Sequence, residues 1–140
     1  MTDGSDPLVA LNAVLDEIID LVREVKDARW RFGASASLHA ELDSLFDDAR
    51  RWARDLIELD EDHGRSPLES MPTASARQSR DLRPDISTED DVRRELDDAL
   101  GRLDQHVAIA IASQVDDDLS EALGAIEDGV RRHRQSLGPR

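Results

Sequence analysis

The stretch from Leu8 to Val25, LVALNAVLDEIIDLVREV, decides the fold. Its apolar residues Leu8, Leu11, Leu15, Ile18, Val22 and Val25 recur in alternating steps of three and four, with Asp16, Glu17, Asp20, Arg23 and Glu24 between them. A backbone that turns every 3.6 residues gathers such positions into one stripe, so the spacing predicts an amphipathic helix with one face in a core. A half-buried strand would need alternation with period two, and no segment of the sequence has it. Pro7 suits the first turn, Asp6 stands where a cap is wanted, and Gly33 marks a stop.

Working outward, the same stepping returns three times. Leu38, Leu42, Leu45, Ala49, Trp52, Leu56 and Leu59 predict a second helix that closes near His63 and Gly64. Ser87-Thr-Glu-Asp90 has the form of a capping box and opens a third, with Val92, Leu96, Leu100, Leu103, Val107 and Ile111 on its stripe. The acidic run Asp116 to Asp118 suits the positive start of a fourth, whose stripe is Leu119, Leu123, Ile126, Val130 and Leu137. Arg131, Arg132 and Arg134 then sit near its negative end, and Gly138-Pro139 stops it. Between Gly64 and Ile86 the pattern lapses into Pro67, Pro72, Pro84 and many Ser and Arg, with room for one short helix over 73–79. The expected fold is all-α, a four-helix bundle in one domain over 1–140, with a long crossover connection over 64–87 between helices two and three. Such a connection lets those two helices run parallel, the ferritin-like variant of the bundle.

Composition narrows the function. The chain has 140 residues, 32 Asp and Glu against 18 Lys and Arg, and a formal net charge of −14; Lys26 is its only lysine. Coating a polyanion by bulk charge needs the opposite balance, so DNA binding is not expected. With no cysteine, a disulfide scaffold, a thiolate zinc site and a Cys nucleophile are excluded. No apolar run approaches the roughly 20 residues that cross a bilayer, and the first residues lack the layout of a signal peptide. The expectation is a soluble cytoplasmic protein with no membrane partner.

Leu11-Asn12-Ala13, then Ala28-Arg29-Trp30-Arg31-Phe32-Gly33, then Leu38-His39 with Asp43 four residues on, together resemble the N-terminal half of the Dps family, the ferritin-like mini-cages named for DNA protection in starved cells. Ile57-Glu58, Gly64 and Pro67, and Asp116 to Leu123 extend the similarity, and Arg132-His133 falls where the family often has a His. Trp30, His39, Asp43 and Glu58 are its specific positions. The resemblance implies a homododecameric shell with an acidic interior and a dinuclear iron-oxidising site at a two-fold interface. That site would take a first-helix His from one subunit and a His and carboxylates from the second helix of its mate. The positions carried over are Arg29, His39, Asp43, Arg54 and Glu58. His39, Asp43 and Glu58 are suitable metal ligands. Arg29 stands where the family has a His and Arg54 where it has an acid; Arg31 replaces an Asn, and the segment from Trp30 to His39 is about two residues short.

Those departures have a physical consequence. Arg stays protonated and has no acceptor atom, so it cannot ligate iron, while its fork pairs well with carboxylates. The inherited site reads as a salt-bridge cluster in which Arg54, one turn before Glu58, satisfies it directly. His39 and Asp43 at i and i+4 share a helix face and could still reach one metal. Asp16, Glu17, Asp20, Glu24, Asp47, Asp48 and Asp55 are expected on solvated faces; in a closed shell, an acidic inward face would gather hard cations and nucleate mineral. Asp116, Asp117 and Glu121 either cap the fourth helix or ring a three-fold pore for ion entry.

His106 and His133 are expected as hydrogen-bonded core residues, and His63 with Asp60 to Asp62 as a solvated helix end. The Arg131, Arg132, Arg134 and Arg140 cluster is too small to outweigh the overall negative charge. No phosphate loop or nucleophile motif is present, and Met1 and Met71 do not supply a haem clamp. The expected function is iron sequestration and detoxification, by oxidising Fe(II) and storing ferric mineral, with the interface site impaired by Arg29 and Arg54. The alternatives are a shell or partner-binding bundle that has lost iron chemistry, and a bundle that only dimerises.

Overall fold

The computed structural model describes residues 7–32, 36–62, 88–113 and 117–137. Those residues form four α-helices and no strand: α1 (Pro7–Phe32), α2 (Ala36–Asp62), α3 (Glu89–Ser113) and α4 (Asp117–Leu137). The all-α four-helix bundle expected from the periodicity is the fold found. Asp6, Gly33, His63, the 64–87 connection with its short helix over 73–79, Ser87, Asp116 and Gly138-Pro139 lie outside the described residues. None of the described helices is long and apolar enough to cross a membrane.

The start of α3 is set one residue later than the capping box suggested. Thr88 is the cap: its Oγ1 accepts a hydrogen bond from the Asp91 N–H at 3.1 Å, and its carbonyl takes the first helical bond from Val92. Glu89, Asp90 and Asp91 then crowd the first turn, where their charge meets the positive end of the helix. In α4 the Asp118 carboxylate accepts from the Leu119 N–H at 2.9 Å.

Cross-helix contacts fix the directions. α1 packs on α2 and α3, and α4 packs on the same two, so the order around the bundle is α1, α2, α4, α3. Along α2 and α4, Asp48 meets His133 and Trp52 meets Gly129. Along α3 and α4, Arg93 meets Ser136 and Asp97 meets Arg134. Along α1 and α3, Glu17 faces His106 and Glu24 faces Arg102. Numbers rise on one helix as they fall on the other, so each of these pairs is antiparallel. With α1 and α2 joined through three residues and Arg29 against Asp43, that pair is antiparallel as well. It follows that α2 and α3 run parallel, and Arg93 pairs with Glu41 where both begin.

The core is the union of the four stripes. Leu11, Leu15 and Ile18 of α1, Leu42, Leu45 and Leu56 of α2, Leu96, Leu100 and Leu103 of α3, and Leu119 and Leu123 of α4 are fully enclosed. Each such side chain contributes about 1.5–3 kcal/mol by leaving water, and together they offset the chain entropy lost on folding. Val22 is only half buried, because the α1 face that packs drifts through Val14, Leu21, Val25 and Ala28. That drift turns acids inward as well. Asp20 and Glu24 are buried, and Glu17 is nearly so; all three had been expected in solvent. Arg102 lies 3.9 Å from both Glu17 and Glu24, and His106 lies 3.7 Å from Glu17. His106 is accordingly not a core residue: its side chain is 38% exposed and sits on this polar seam.

Candidate functional site

The last turn of α1 and the first turns of α2 meet across a three-residue connection, which brings Arg29, His39 and Asp43 together. His39 and Asp43 share a face of α2 because they are one turn apart. The Arg29 Nε lies 2.8 Å from Asp43 Oδ1, and His39 Nε2 lies 3.1 Å from Asp43 Oδ2. Asp43 Oδ1 is buried and accepts no hydrogen bond, so Arg29 holds it by charge, with no directed N–H. The Arg29 guanidinium also stacks on Phe46, 4.6 Å from the ring centre, and Arg50 approaches the same ring at 5.6 Å. An acid and a ring therefore fix the guanidinium from two directions.

Beside this cluster opens a groove of about 670 Å³ lined by Arg23, Lys26, Asp27, Arg29, Trp30 and His39. Trp30 stands 89% exposed, the barest large apolar side chain among the described residues. Asp27 is engaged by Arg31 at 2.6 Å.

Glu58 and Arg54 lie elsewhere on α2. Asp43 and Glu58 are fifteen residues apart on one helix, about 22 Å at 1.5 Å per residue, so one chain does not bring them to a shared ion. Among the described residues no three His, Asp or Glu side chains are grouped to hold a metal. The expected Arg54–Glu58 pair is not formed either. Arg54 instead approaches Asp55, at 3.9 Å. Both partners of the expected pair are exposed, and a base one turn before an acid is the weaker order on a helix.

Of the proposed pore residues, Asp117 and Glu121 are exposed in the first turns of α4, and Asp116 lies outside the described residues. Asp48, expected in solvent, is committed to the structure. Its Oδ2 meets the buried His133 Nε2 at 2.7 Å, and its Oδ1 accepts from Arg51 at 2.7 Å. His133 is the hydrogen-bonded core histidine expected from its stripe, and its ring stands edge-on to Trp52. The basic end of α4 is likewise occupied. Arg134 donates to Asp97 at 3.0 Å, a bond that holds its guanidinium above the ordinary value, and Arg131 lies near Glu127 and Asp128.

The seam of Glu17, Glu24, Arg102 and His106, with Asp20 buried on the same helix, was missed by stripe counting. The signal was present in the sequence, since Glu17, Asp20 and Glu24 step by three and four as the apolar residues do. What the fold and this site define is an all-helical four-helix bundle with an arginine-centred ion cluster where α1 meets α2. The sequence matches no protein-family model and no curated protein.

Proposed function

We propose that this chain is the subunit of a ferritin-like, Dps-type cytoplasmic shell that sequesters iron, and that its α1–α2 site is a protein ion cluster in place of an efficient ferroxidase centre. The parallel run of α2 and α3 supports the ferritin-like topology, in which those two helices share a direction. The observation that carries the reading of the site is the 2.8 Å approach of Arg29 to Asp43. Fe(II) binding at His39 and Asp43 would need Glu58 of a second copy, against the expectation that one second helix supplies all three ligands, and would need the guanidinium of Arg29 displaced. A cation arriving at Asp43 meets a fixed positive charge, so oxidation at that position is slow. Iron uptake then rests on exposed carboxylates, including Asp117 and Glu121, whose oxygens suit a hard ion. DNA is not a partner in this reading, since the chain carries a formal net charge of −14 and Arg131 and Arg134 near the end of α4 face Glu127, Asp128 and Asp97.

A second reading, a shell without iron chemistry, is favoured by the same Arg29–Asp43 contact. Stopped-flow Fe(II) oxidation separates the two. The pair Arg29→His with Arg54→Asp restores the donor types that the family resemblance implies, and is expected to raise the oxidation rate at least tenfold. An unchanged rate would contradict the assignment of the site.

A further inference from the structure

A second concavity, of about 360 Å³, opens between the first half of α2 and the last turns of α4, away from the α1–α2 junction that holds Arg29. Glu41, Ser44, Asp48, Arg132, His133 and Leu137 are among its lining residues. Its acids are already matched. Arg93 donates to Glu41 and reaches the carbonyl of Ser136 at 3.3 Å, and Asp48 meets both Arg51 and His133 at 2.7 Å. The charge left over is positive. Arg131 faces Glu127 and Asp128, and Arg134 faces Asp97, whereas Arg132 has no ion pair or hydrogen bond among the described residues. Its guanidinium is nonetheless laid back along α4. One nitrogen, Nη2, lies 3.5 Å from where a Cβ on Gly129 would stand, so the bare helix at that glycine gives it room beside Trp52. The Ser44 hydroxyl likewise makes no hydrogen bond among the described residues.

We infer that this concavity binds a small hydroxycarboxylate, with its carboxylate on Arg132 and its hydroxyl served by Ser44 and His133. A guanidinium fork matches the two oxygens of a carboxylate, and here no acid of the chain has to be displaced from it. The Asp48 carboxylate accepts the Nε2–H of His133, which fixes the ring and leaves Nδ1 as the nitrogen that can serve a ligand. The buried Leu137 adds an apolar wall. The volume lies near the lower end of the roughly 300–1,000 Å³ of small-molecule sites, which fits a molecule of a few carbons. A formal net charge of −14 repels polyanions, while one carboxylate needs only the one unspent guanidinium. The inference needs neither the shell nor iron.

The test is a titration of the whole chain with sodium lactate, read by NMR on the histidine side chains. The His133 signals are expected to move and saturate with a dissociation constant at or below about 10 mM, while those of His39 and His106 stay in place. Lactamide, the same molecule without the charge, is expected to bind about tenfold more weakly, and so is lactate to an Arg132→Gln variant, since both lose the charge-assisted pair. Ser44→Ala is expected to weaken binding about threefold. Arg132 and Ser44 are both exposed, and circular dichroism checks that each variant keeps its fold. Inorganic phosphate binding as tightly as lactate would overturn the hydroxycarboxylate in favour of a plain anion at Arg132. Lactate that fails to saturate, that moves all the histidines alike, or that binds Arg132→Gln as well as the natural chain would overturn the site itself.

Discussion

A guanidinium 2.8 Å from a carboxylate and 4.6 Å from the centre of a phenyl ring puts a fixed positive charge beside Asp43. Because Arg29 and Asp43 are both about a third or more exposed, that pair contributes little to folding. Arg29→Ala is expected to change unfolding free energy by less than about 1 kcal/mol in urea titration. In the proposed function its effect would fall on ion binding at Asp43. Deeper in the bundle single atoms weigh more. A Cβ on Gly129 would stand 2.6 Å from Trp52 Cζ2, a distance that forces the indole or the helix to move. Gly129→Ala should therefore destabilise by about 1–3 kcal/mol in spite of its better helix propensity. A stability equal to or above that of the natural chain would show that Trp52 has room to yield. Asp48→Ala leaves the buried His133 without the partner at 2.7 Å, and a loss of about 1–3 kcal/mol is expected in the same assay.

At the scale of the element, the helices were legible where the apolar steps were regular and less so where they drifted. The stripes of α2, α3 and α4 packed as their spacing required, with Leu42, Leu100 and Leu123 all enclosed. In α1 the buried face rotates past Val22, and counting apolar residues alone gave no place to Asp20, which is buried, or to Glu24, which meets Arg102 of α3. Periodicity reports which face is apolar, and an acid beside that stripe enters or leaves the core according to what the neighbouring helix offers. Here α3 offers Arg102. Replacing it with Met keeps most of the apolar stem but removes the charge near Glu17 and Glu24, and should cost about 1–3 kcal/mol. The candidate site was legible in part for a related reason. One turn on one helix set His39 beside Asp43, whereas Glu58 lies several turns further along. The cap of α3 is a local matter, and Thr88→Ala is expected to lower stability by about 1 kcal/mol.

At the scale of the whole molecule the excess of acid is the leading feature. A formal net charge of −14 on 140 residues repels itself in the compact state, and mobile ions relieve that repulsion. Thermal unfolding followed by circular dichroism should accordingly move upward as NaCl is raised, although individual surface pairs such as Arg131 with Glu127 weaken under the same conditions. The same charge gives the proposed function its logic. Carboxylates gathered on the inner face of a closed assembly would concentrate cations even if the site at Asp43 is closed to them.

The measurement that bears most directly on this account is size-exclusion chromatography with light scattering after aerobic loading with Fe(II), with iron followed across the peaks. The account predicts a particle of about twelve subunits, as the resemblance implies, with iron travelling in it. A particle of that size free of iron would contradict the sequestering function, and a monomer would contradict the shell itself.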